Sequence, residues 1–154
     1  MDQLLDELRS RQLAEQVKSK ARKPFDNAYR AALVTEGAAY VQGFVVYASK
    51  PYRLIEHAWL ELEGAILDPN FPHLKKQAAE LNYFAAQRLS VKQLKAAVEE
   101  AKEDYPDDDP LPIYGAMPYE YYGDVMLGGS DYMQAHHAAE AKCRELTRGI
   151  GERN

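Results

Sequence analysis

The sequence predicts an α+β domain: a small antiparallel sheet between helices at the two ends of the chain. Three observations lead there. Apolar residues recur at helical spacing before residue 36 and after residue 89. Between residues 39 and 68 the pattern changes to runs of β-branched and aromatic residues with a period of two. Glu63-Gly64 divides two of those runs and marks a tight hairpin. The order is helices, sheet, helices, which does not fit a doubly wound parallel sheet.

Taken in order, residues 2–20 read as a helix with Leu4, Leu5, Leu8, Leu13 and Val17 as its apolar stripe, within an N-terminal segment 1–22. A second helix runs from Asp26, as N-cap, to Thr35, closed by Glu36-Gly37. Residues 39–47, 53–62 and 65–68 read as strands, with a turn at Ser49-Lys50-Pro51. Asp68-Pro69-Asn70-Phe71-Pro72 is a stop signal. Residues 73–81 suggest a short helix and Tyr83–Leu89 a strand. Ser90 caps a helix to Asp104 whose stripe is Val91, Leu94, Ala97, Val98 and Ala101. Residues 105–130 are a loop rich in Pro, Asp and Tyr, and the last helix spans 131–148.

A length of 154 residues fits one domain able to bury a sizeable core. The net charge of −5 opposes non-specific nucleic-acid binding. The basic run Lys18, Lys20, Arg22 and Lys23 reads as a solvated helix end. The single cysteine, Cys143, permits no internal disulfide and suits a reducing, cytoplasmic setting. The acidic N-terminus does not look like a signal peptide, and no apolar run reaches a membrane-spanning length of roughly 20 residues. Oligomeric state is not legible.

The chemistry concentrates at residues 57–70. A turn at Glu63-Gly64 pairs Leu62 with Ala65, Leu60 with Leu67 and Trp59 with Asp68. One face then collects His57, Trp59 and Glu61 with Ile66 and Asp68. The other collects Ala58, Leu60, Leu62, Ala65 and Leu67 and should face the core. His57 and Asp68 share a face as diagonal neighbours, whose Cα atoms sit roughly 7–8 Å apart. A carboxylate on one imidazole nitrogen fixes the tautomer and leaves the other nitrogen to act as a base.

His57-Ala58-Trp59, a strand, a glycine turn and Asp68-Pro69 resemble the His and Asp segments of transglutaminase-like proteins, within the broader papain-like group. Tyr40-Val41-Gln42-Gly43-Phe44 and Tyr83-Phe84 resemble the flanks of bacterial and phage members. The resemblance covers residues 23–90 and is specific at 57–69. It implies His57 as general base and Asp68 as its orienting acid, on a papain/transglutaminase-like core. It also implies a nucleophilic cysteine at the start of the helix before the sheet, where the dipole lowers a thiol pKa. The matching segment is Lys23-Pro24-Phe25-Asp26-Asn27-Ala28, with no thiol. Cys143 lies far downstream and reads as a small buried apolar residue.

The resulting expectation is a catalytically degenerate domain that binds a protein or peptide. The competing one is a hydrolase or amidase using His57 and Asp68 with another nucleophile, an activated water or a metal. Candidate binding residues are Trp59, Asn27 and the tyrosines Tyr114, Tyr119, Tyr121 and Tyr122. No cofactor is expected. No metal is expected either: His57, Asp68, Glu56, His73 and the His136-His137 pair form no recognised ligand spacing.

Overall fold

The computed structural model describes residues 4–107, 109–112, 120–122, 125–127 and 130–153. The fold is mixed α+β. Its elements are β1 (Leu4–Leu5), α1 (Glu7–Val17), α2 (Pro24–Val34), β2 (Ala39–Tyr47), β3 (Leu54–Leu62), β4 (Ala65–Leu67), α3 (Phe71–Leu74), a 3₁₀ turn (Ala78–Glu80), β5 (Leu81–Leu89), α4 (Val91–Asp104), β6 (Glu120–Tyr122), β7 (Val125–Leu127) and α5 (Ser130–Arg153). One sheet has the order β1-β4-β3-β2-β5, and β6 and β7 form a separate two-stranded ladder. The chain divides into two compact units: residues 1–42, 58–76 and 88–113, and residues 43–57, 77–87 and 114–154.

The sheet is mixed, where an antiparallel one was expected. β3 and β4 are antiparallel, but β1 joins β4 in parallel, pairing Leu4 with Ala65 and Leu5 with Ile66. Leu4 and Leu5 had been counted in a helical stripe from residue 2. A two-residue strand has no period to reveal it. Helix α1 starts only at Glu7, where the Asp6 carboxylate accepts a hydrogen bond from the Arg9 amide at 3.0 Å.

In the first unit, α1, α2 and α4 pack on the sheet. Leu13 and Val17 of α1, Ala28, Ala31 and Ala32 of α2, and Leu94 and Val98 of α4 meet Tyr40, Ala58, Leu60 and Leu67. The alanine face of α2 lets that helix approach closely. Helix α2 begins at Pro24 rather than at an Asp26 cap, because proline suits the first helical position. Asp26 falls in the first turn and bonds Arg30 one turn on, at 3.0 Å. Helix α4 matches expectation: the Ser90 hydroxyl accepts from the Gln93 amide, and the Gln93 side chain accepts from the Ser90 amide.

In the second unit, Phe44 and Val46 of β2 and Ala86 of β5 pack on Tyr132, Ala135 and Ala139 of α5. The Phe44 ring meets Tyr132 and His136 edge to face, with centroids 6.4 and 5.2 Å apart. Cys143 packs against the same cluster. At Gly43 the backbones of β2 and β5 come so close that a Cβ would lie 2.1 Å from the Phe84 carbonyl oxygen.

Candidate functional site

The β3–β4 hairpin has the register that its turn requires. Leu62 pairs with Ala65, Glu61 with Ile66 and Leu60 with Leu67. Glu63 and Gly64 both adopt left-handed backbone, at φ +52° and +79°, as a two-residue hairpin turn demands. The apolar face, Ala58, Leu60 and Leu67, joins the core of the first unit.

The ladder stops at Leu67, and Asp68-Pro69-Asn70 turns the chain away. Asp68 is fully buried. Its amide donates to the Ser10 hydroxyl oxygen at 2.9 Å, which ties the turn to α1. Its Oδ1 accepts the Asn70 amide at 2.8 Å and the Asn70 side-chain nitrogen at 2.9 Å. This is an Asx turn, in which a carboxylate satisfies the backbone two residues on. The same Asn70 nitrogen donates to the Ala58 carbonyl at 3.1 Å. It thereby bonds a β3 carbonyl beyond the point where β4 has ended.

Asn70 in turn accepts, on Oδ1, a hydrogen bond from the Asn27 side chain at 2.8 Å. Asn27 is completely buried on α2. Its Nδ2 also donates to the Lys20 carbonyl at 2.7 Å, and its Oδ1 accepts from the Lys20 amide at 3.0 Å and from Arg30 at 2.8 Å. Two donors and two acceptor sites complete the hydrogen-bonding capacity of an amide. Asn27 is therefore spent inside the protein, holding the 18–23 loop. Asn70 also comes within 3.4 Å of the Pro24 carbonyl, so the start of α2 and the Asp68 turn are one joined structure. Hydrogen bonds to a charged group contribute roughly 1.5–3 kcal/mol each, and stranding a buried partner costs about 1–3 kcal/mol.

His57 belongs to the second unit, buried to 1% exposure, with its ring centroid 6.4 Å from that of Tyr83. Trp59 is fully buried, so its indole is interior. Residues on both faces of this stretch of β3 are thus enclosed, not only those of the apolar face. Tyr114 and Tyr119 lie outside the described residues. Tyr121 and Tyr122 lie on β6.

Ser10, Asn70 and the link from Asn27 to Lys20 were not among the candidate residues. A signal for Asn27 existed: it shares a helical stripe with Ala31 one turn on, and a polar residue on an apolar stripe implies a buried partner. A second pair emerges at Ser19, whose hydroxyl oxygen lies 2.9 Å from His73 Nε2. The same nitrogen lies 3.0 Å from the Ser19 carbonyl, which can only accept. The network therefore places the proton on Nε2, making the ring a donor and not a base for that hydroxyl. At the edge of the sheet Arg88 grips Glu61 through two nitrogens, at 2.7 and 3.2 Å, and this hydrogen bond raises the guanidinium pKa further. Among the described residues no group of three or more His, Cys, Asp or Glu is placed to hold a metal.

Fold and cluster define an α+β protein with a buried Asp–Asn–Asn hydrogen-bond network in its first unit. No protein family matches the chain, and comparisons with curated proteins and with solved structures find no match. Among the described residues no helix is long and apolar enough to cross a membrane.

Proposed function

We propose that the chain is a transglutaminase-like domain on a papain-like core that has no thiol chemistry and acts by binding a protein or peptide. The observation that carries this is the start of α2. The resemblance asks for a cysteine there, and the helix opens Pro24-Phe25-Asp26 with no thiol: Pro24 and Phe25 have no nucleophilic atom, and the Asp26 carboxylate is bonded to Arg30. Beside it, the buried amides of Asn27 and Asn70 are bonded to each other. Asp68 supports the same reading, because one of its oxygens already accepts two N–H groups of Asn70. That oxygen anchors the turn.

Amide chemistry of this family type on a glutamine side chain would release ammonia. The test incubates the full chain with a glutamine-containing peptide and a primary amine and measures that ammonia. The binding reading expects none above a boiled control. Turnover that disappears in His57→Ala would restore the hydrolase or amidase reading.

A further inference from the structure

We infer that Lys18, Lys20, Arg22, Lys23 and Lys75 form a docking surface for an acidic segment of a protein partner. This names the partner class for the binding function proposed above and rests on that reading, but it uses none of the residues in the Asp68 network.

Sequence alone shows a short basic run at the end of a helix. The fold adds a second basic segment beside it. Ser19 and His73 are hydrogen-bonded, which brings residues 18–23 together with residues 73–76. Those ten residues carry six Lys or Arg and no Asp or Glu. The chain totals −5, so the other 144 residues carry −11. Positive charge is therefore segregated on an acidic protein.

The five side chains named are exposed, and among the described residues none forms an ion pair or a side-chain hydrogen bond. The acids nearest the 18–23 run do not neutralise it: Asp26 is bonded to Arg30, and Glu15 is one acid against four cations. The backbone beneath is fixed. The Lys18 and Ser19 amides bond back into the last turn of α1, and both backbone groups of Lys20 are held by the buried Asn27 amide. Three of the patch residues hold left-handed backbone, Lys18 at φ +52°, Arg22 at +65° and Lys75 at +54°. Unpaired cations on an immobilised loop bind anions with little loop-ordering cost.

Charge balance favours an acidic peptide over a nucleic acid. The patch field decays within about 8 Å at physiological salt. A long polyanion would run past it onto surface of the opposite balance, and a nucleic-acid-binding domain is usually basic as a whole. A short acidic segment can be confined to the patch.

The test is fluorescence anisotropy of a labelled oligoglutamate peptide, with single-stranded DNA and phosphatidylserine vesicles as parallel probes. The full chain should bind the peptide, with affinity falling about tenfold from low to physiological salt. Lys20→Glu with Arg22→Glu and Lys75→Glu should lower affinity at least about tenfold while circular dichroism stays unchanged. Lys92→Glu with Lys95→Glu, on α4, should have little effect. Peptide binding that survives the triple reversal, or tighter binding of DNA or vesicles than of peptide, would overturn the assignment. Neither outcome depends on whether ammonia is released, so the two proposals fail separately.

Discussion

Replacing Asn70 with alanine removes the centre of the buried network. The change deletes the donor to Asp68 Oδ1 and to the Ala58 carbonyl, and the acceptor for Asn27. The Asn70 backbone bond to Asp68 survives, because it does not involve the side chain. At 4% exposure water does not readily replace the lost partners. Three buried groups each lose a bond. At about 1–3 kcal/mol per stranded group, with partial relaxation, the loss should be about 4 kcal/mol. For a chain of this length that corresponds to a fall of about 10 °C in Tm. Urea unfolding followed by tryptophan emission measures it, since Trp59 is the single tryptophan and is fully buried. A loss below about 1 kcal/mol would mean the network is not a structural anchor, and the case for a committed Asp68 would collapse with it.

Further changes separate the parts of the account. Gly43→Ala should cost about 3 kcal/mol or more, because the new Cβ would strike the backbone of β5, and the same urea titration reads it. Arg88→Ala should cost about 1 kcal/mol, since Arg88 is more than half exposed although Glu61 is mostly covered. The raised Arg88 pKa keeps the guanidinium charged through neutral pH and far into alkali, so a titration of stability from pH 6 to 8 should show no step from Arg88. Asp68→Asn keeps the shape but weakens the acceptor for both Asn70 N–H groups. It should destabilise by about 1–3 kcal/mol, and a stabilised variant would contradict the turn assigned to Asp68.

Local chemistry decided how much of this was readable in advance. The hairpin was legible because Glu63-Gly64 admits one short turn, and that turn fixes which residues face each other. Helix α4 was legible because Ser90 and Gln93 form a capping box three residues apart. Strand β1 was not, since two leucines next to a helix continue its stripe. Asp26 was read as a cap because the type suits one, yet Pro24 two residues earlier already opens the helix. The Asn27–Asn70 bond joins positions 43 residues apart, which no periodicity reports. The basic surface escaped for the same reason: its halves meet through Ser19 and His73, 54 residues apart.

The direct test of a domain without covalent chemistry is its intact mass. Mix the folded chain with an activated ester that acylates nucleophiles, quench with acid, and weigh it. The account predicts the unmodified mass, apart from slow reaction at surface lysines that His57→Ala leaves unchanged. A rapid stoichiometric acyl adduct that vanishes in His57→Ala would show a working nucleophile and contradict it.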